Sequence, residues 1–289
     1  VALQGIGLLD AAWQKADAYS KERRQMRAPG RGKSAAAADL IAEHPAMRRI
    51  LDTQRAWIDA GRLLAYRTAV ELDMAKHHPD AARRDEAQRW CSLVTPVLKA
   101  AFTQQAFYGG SECLQVFGGH GYVREWGIEQ HLRDARVAMI YEGTNEIQAI
   151  DLLVRKVLPD GAKAFGAWLA SLRADLEPGQ PGSARVLKNL AALEVQTSEL
   201  LNAAARDSTL AHWVADDYLR AVALVLLDWA WAQIEQKAAA QGPRWSAPAH
   251  ALQRWVMPEL NMRLGIITSA MASVAAPDTA DSTALSSIR

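Results

Sequence analysis

Cysteine is scarce: Cys91 and Cys113 are the only two in 289 residues, and they belong to no CxxC pair. That argues against a disulfide-stapled scaffold and points to reduced thiols in a cytoplasmic compartment. Neither sign of charge is in surplus, with 33 Lys and Arg against 32 Asp and Glu. No basic stripe interleaved with aromatics tracks a phosphate backbone, so nucleic acid is not an expected partner. Long apolar runs are missing as well. Ala221 to Ala232 is interrupted by Asp228 and falls short of the roughly 20 residues a membrane-spanning helix needs. GxGxxG, P-loop and Ser-nucleophile motifs are absent. His77 and His78 are adjacent, so they diverge on a helix, and no Cys or acidic cluster stands at ligand spacing; no metal site is expected. Period-2 alternation, the mark of a half-buried strand, is found nowhere.

What is present is helical periodicity in a chain that is half apolar and long enough for a sizeable core. Val1 to Leu9 already carries that period with no initiator Met and no cap, so the chain is expected to begin inside a helix with something upstream cut away. Leu9, Trp13, Ala16 and Tyr19 continue one face to about Arg27. Pro45 suits a first helical position, and Met47, Ile50, Leu51, Ile58, Leu64 and Leu72 keep helical spacing until His78-Pro79. A third helix is expected from about Arg83 to Phe117, kinked at Pro96. A glycine turn at residues 118–121, a short helix over 129–136 and another after Thr144 follow. Beyond Gly161, helices are expected over 164–176, 184–205, 210–240 and 249–273. The fold class is therefore all-α, a bundle of long helices (1–160) plus a second C-terminal helical unit (161–276). Residues 277–289, with little apolar surface, are expected to be a disordered tail. The ten tryptophans read as core and interface residues; Trp213, Trp229 and Trp255 could line a groove, but packing is the simpler role.

Three blocks carry chemistry: Gln115-Val116-Phe117-Gly118-Gly119-His120-Gly121-Tyr122, then Arg133-Asp134-Ala135-Arg136, then Ile140-Tyr141-Glu142-Gly143-Thr144-Asn145-Glu146-Ile147-Gln148. One glycine turn would mean little. In this order and spacing the blocks resemble the C-terminal signature of the acyl-CoA dehydrogenases. Tyr19 to Met26 is similar to the family's arginine-containing helix end, so the resemblance covers about residues 1–158.

The resemblance implies an FAD enzyme that oxidises a Cα–Cβ bond of an acyl-CoA to the trans-2-enoyl thioester. Glu142 matches the carboxylate that takes the α-proton, flanked by Tyr141 and by Gly143, which lets the backbone pass close to the substrate. It also implies flavin contacts from Arg23, Gln25, Met26, Gln115 and Gly119 to the cofactor of a neighbouring subunit, hence at least a homodimer. Thr144 and Glu146 match positions that touch the chain's own flavin. Plainer readings stand beside these: a solvated helix-end charge for Arg23, a helix-face amide for Gln115, an N-cap for Thr144, and a helix-start acid for Glu142. The chain departs from the family pattern at His44-Pro45, where many members have His-Gln, at Met26 in place of an aromatic, and at Arg27 in place of Gly. These changes resemble the subgroup with an additional C-terminal domain that includes the 3-methylthiopropanoyl-CoA dehydrogenases. The second helical unit is then expected to cover a surface that other members bury in a tetramer, leaving a dimer. The expected electron acceptor is an electron-transfer flavoprotein; an acyl-CoA oxidase shares the base and is the alternative. A different alternative is a catalytically silent helical oligomerisation module, which would purify without tight FAD.

Overall fold

The computed structural model describes residues 1–30, 36–238 and 244–275. Helix α1 (Ala2–Ser20) stops at Ser20, short of the expected end near Arg27. Its following residues leave the helix to pair with a later segment. Gln25 N–H donates to Asp39 O (3.0 Å), Asp39 N–H to Met26 O (2.8 Å) and Ile41 N–H to Arg23 O (2.9 Å), around an isolated antiparallel bridge between Arg24 and Leu40. Buried Asp39 anchors the turn, accepting from Ala28 N–H and pairing with Arg27. Backbone partners therefore outweigh helix propensity here, and Met26 takes a left-handed φ of +59° to allow it.

Helix α2 (Pro45–His77) carries Pro45 in its first turn, where the missing N–H costs nothing. Helix α3 (Ala81–Phe117) is capped by Asp80, whose side chain accepts from Ala82 N–H, and runs unbroken through Pro96. Proline denies the carbonyl four residues earlier its donor; that carbonyl, Ser92 O, accepts instead from Lys156 Nζ at 2.8 Å. Gly118 ends α3 at φ +57°, ψ −140°, a conformation only glycine adopts readily. Helices α4 (Glu129–Ala138) and α5 (Asn145–Ile150) follow, and α5 continues into a π-helical stretch, Asp151–Val157.

The second unit contains α6 (Lys163–Ala174), α7 (Ser183–Ala204), α8 (Leu210–Trp213), α9 (Ala215–Ala238), α10 (Ser246–Ala251) and α11 (Pro258–Ala275). Two helices expected to be continuous are thus divided, one at Val214 and the other by a π turn ahead of Pro258. The tail, 277–289, lies outside the described residues. Among the described residues there is no named strand, and no helix is long and apolar enough to cross a membrane.

One hydrophobic cluster runs through both units, from Leu9, Trp57 and Phe102 to Trp168, Trp229 and Trp231. Helix α9 is buried on nearly every side from Tyr218 to Ala232. Trp231 Nε1 donates to Ala56 O of α2 at 2.9 Å and Trp229 Nε1 to Leu172 O at 3.2 Å, so both indoles find the partners that burial demands. Trp213 and Trp255 do not share this packing role: they are 81% and 45% exposed, and the guanidinium carbons of Arg49 and Arg254 lie 4.7 and 4.9 Å from the Trp255 ring centroid. Cys91 and Cys113 are both free and buried. Burial pushes the Cys113 thiol up to about 12.

Small residues set the spacing of α1, α2 and α3. A Cβ on Gly5 would stand 2.7 Å from Phe102 O, and the backbone cannot give way as a flexible side chain would. Gly5→Ala is expected to destabilise by about 1–3 kcal/mol through overpacking, read as a lower urea midpoint. Gly7→Ala, two residues along the same helix with no atom within 4 Å of its Cβ, serves as the control that should not lower stability.

Candidate active site

Two clefts collect six of the candidate residues, while Tyr141, Gly143, Thr144 and Glu146 line neither. The first, about 530 Å³, is lined by Arg23, Gln25 and Met26 from the segment after α1, by Gln115 from the last turn of α3 and by Gly119 from the glycine turn that follows. All five residues expected to reach a neighbour's flavin thus share one cavity. Its frame is aromatic: Tyr19 stacks on Phe117 (centroids 4.3 Å apart), its hydroxyl lies 2.9 Å from His120 Nδ1, and His120 stacks on Trp126 at 4.9 Å. These contacts hold the glycine turn against α1. Nothing local in the chain marks Tyr19, His120 or Trp126 for this task. Met26 in this lining stands 74% exposed, and a Cβ on Gly119 would meet no atom of the chain within 4 Å.

Glu142 lines the second cleft, of about 410 Å³, together with Leu3, Ala65, Leu72, Leu98 and Lys99. The cleft wall is mainly aliphatic. Glu142 itself has φ +53° and Gly143 φ +87°. Two successive left-handed residues turn the chain sharply, and for a glutamate that conformation is uncommon enough to need support from its surroundings. Several contacts supply it. Lys99 Nζ donates to Gly143 O at 2.8 Å, to Asn145 Oδ1 at 2.9 Å and to Met139 O at 3.4 Å. Gln148 Nε2 donates to Glu142 O at 3.4 Å, and the Tyr141 hydroxyl donates to Gln4 Oε1 of α1.

Thr144 is the N-cap of α5, its Oγ1 accepting from Ile147 N–H at 3.4 Å. Glu146 folds back onto the same helix end: its own backbone N–H and the Thr144 hydroxyl hold its carboxyl below the usual range. The plain capping reading of Thr144 therefore holds structurally. Lys99 is 6% exposed, and burial pushes its ammonium below the ordinary lysine value although Glu146 and Glu142 act in the opposite sense. Sequence reasoning missed Lys99 and Asn145. The available signal was a lone lysine inside the apolar stretch Val97 to Phe102.

Solved structures share this architecture at low identity. The Caenorhabditis elegans protein ACDH-11 in complex with C11-CoA superposes with a TM-score of 0.70 at 20% identity, over 96% of this chain and 46% of that one. A Bacillus anthracis acyl-CoA dehydrogenase complexed with FAD gives 0.64 at 16% identity, over 96% and 51%. At such identities the likeness is one of fold, the helical part of an acyl-CoA dehydrogenase. Sequence extends it: residues 1–157 match the acyl-CoA dehydrogenase C-terminal domain, and the chain belongs to that family. It is 40% identical over 194 residues to the 3-methylmercaptopropionyl-CoA dehydrogenase of Ruegeria pomeroyi, covering 66% of this chain and 32% of that protein. To a broad-specificity linear acyl-CoA dehydrogenase of Mycobacterium tuberculosis it is 38% identical over 129 residues, 43% of this chain and 21% of the relative. The chain thus spans a third or less of the length of these two relatives.

Proposed function

We propose that this chain supplies the α-proton base, Glu142, to an FAD-dependent acyl-CoA dehydrogenase. The observation that carries the reading is a carboxylate set on a left-handed loop at an aliphatic cleft. An acyl tail would occupy the cleft beside Leu72 and Leu98, bringing the thioester α-carbon to Glu142. A thioester α-proton is weakly acidic, so the base must be held at the carbon in a site from which water is excluded. Glu142 takes the proton from Cα, a hydride leaves Cβ, and the new Cα–Cβ double bond gives the trans-2-enoyl-CoA. FAD, when bound, supplies the acceptor for that hydride.

The first cleft fits a flavin in its chemistry. Arg23 offers a cation, Gln25 and Gln115 offer amides, and Gly119 leaves room for close approach. Because these residues line a cavity separate from that of Glu142, the reading includes a second copy whose flavin they contact, and hence a homodimer. Thr144 and Glu146, beside the base, would face the flavin of their own copy. Both clefts are lined from the first 160 residues, which supports a supporting role for 161–276, a unit that shares its hydrophobic core with the first. An electron-transfer flavoprotein is the acceptor we favour over oxygen, since the relatives named above are dehydrogenases. The two free cysteines suit a reducing, cytoplasmic setting.

Gly119 provides the test of the cofactor assignment. Within the chain its side of the turn is open, so Gly119→Leu should fold with an unchanged helical circular-dichroism spectrum while flavin content, measured by visible absorbance after dialysis, falls. Flavin retention equal to the parent would remove this cleft from the cofactor site.

A further inference from the structure

A buried ammonium needs a reason. Lys99 sits in the middle of α3 with its Nζ turned to the Glu142 loop, and its three N–H groups have three acceptors: Gly143 O, Met139 O and Asn145 Oδ1. These are backbone and amide oxygens, not carboxylates. Asn145 is in turn fixed from both ends of its amide, Oδ1 accepting from Thr103 Oγ1 at 3.1 Å and Nδ2 donating to Ala100 O at 3.2 Å. Met139, Gly143 and Asn145 straddle Glu142 in sequence, so a single cation ties both ends of the left-handed loop to one point on α3. Lys99 also lines the same cleft as Glu142. For stability alone the arrangement is expensive: among the described residues the ammonium has no carboxylate in hydrogen-bond contact, and its neutral acceptors and the more distant Glu142 and Glu146 offset only part of its desolvation cost.

We propose that Lys99 is a positioning residue for proton abstraction. Its ammonium clamps the segment 139–145 so that Glu142 keeps its uncommon backbone conformation and its carboxylate stays at the aliphatic cleft. Asn145 completes the clamp by orienting the ammonium. The proposal rests on Glu142 as the base, and it predicts a defect in turnover without a matching defect in binding.

The test uses the flavin-loaded protein as its gene encodes it, comparing parent, Lys99→Met, Lys99→Ala, Asn145→Ser and Glu142→Gln. Proton abstraction is read as solvent deuterium entering Cα of a bound acyl-CoA, by mass spectrometry, and binding as the acyl-CoA Kd. Displacing a reacting group by about 1 Å costs on the order of 10²-fold, so Lys99→Met should exchange about 10²-fold more slowly while Kd moves by less than about threefold. In Lys99→Ala, added ethylammonium should restore part of the rate and ethanol should not, because the clamp needs a charged donor. Asn145→Ser, which keeps the cation and loses its orienting amide, should fall in the same direction by about tenfold; it decides the matter if neither Lys99 variant folds. Exchange within about threefold of the parent in the folded variants overturns the proposal, as does a loss matched by an equal rise in Kd with no response to ethylammonium. Glu142→Gln separates the two readings. If it still exchanges, the base is misassigned; if it is silent while Lys99→Met is normal, only the clamp fails.

Discussion

Glu142→Gln in the flavin-loaded protein is expected to bind an acyl-CoA and perturb the flavin spectrum, yet fail to bleach the flavin at a useful rate in the absence of air. The substitution keeps the size of the side chain and removes the basic oxygen, so binding in the aliphatic cleft has no reason to change. General-base contributions are about 10²- to 10⁴-fold. Glu142 is exposed in the chain by itself, so the loss should lie toward the upper end if the bound acyl-CoA and flavin cover it and keep out any substitute base. Stopped-flow reduction by acyl-CoA measures it directly.

The nearest competitor is Glu146, one helical turn on. Its carboxyl is engaged by its own backbone N–H and by the Thr144 hydroxyl, contacts that hold it ionised and lower its affinity for a proton. Glu142 instead lines the cleft. If Glu142→Gln bleaches within a few-fold of the parent and Glu146→Gln does not, the base has been placed one turn too early.

How much of this was legible in the sequence depends on whether the cause was local. Pro45, the Gly118 break and the Thr144 cap are local devices, and the helices they bound begin or end where those residues stand. The early end of α1 was not legible: residues 23–26 have a better option only once residues 39–41 are alongside. Nor was the division ahead of α11, although Pro258 was a breaker that helical periodicity concealed. The candidate site follows the same rule. The family resemblance pointed to Glu142 and to the five residues that share the first cleft, but no spacing rule puts a glutamate or Met26 at positive φ. Lys99 lies 43 positions before Glu142 in the sequence, and its clamp becomes visible only when α3 packs beneath the loop. Trp213 and Trp255 err in the other direction, since abundance of tryptophan does not say which ones remain at the surface.

The largest expected loss of stability lies in the second unit. Asp228 is fully buried in α9, and its carboxylate accepts from Arg185 Nε at 2.7 Å, Asn189 Nδ2 at 2.8 Å and Gln253 Nε2 at 2.8 Å. Arg185 is the only cation among these donors, and its Nη2 also reaches Glu235 at 3.2 Å. Arg185→Met keeps much of the aliphatic bulk but leaves a buried carboxylate with two neutral amides and a second acid nearby. Breaking a buried pair from one side typically costs about 3–5 kcal/mol, whereas replacing both partners by apolar groups is often close to neutral. The double variant Arg185→Met with Asp228→Leu should therefore recover part of the loss, though not all, because Asn189 and Gln253 then lose their acceptor. Urea unfolding of the parent, both singles and the double gives the coupling energy directly. A single-variant loss below about 1 kcal/mol, the range of an exposed ion pair, would show that the Asp228 charge is satisfied by its amide donors alone.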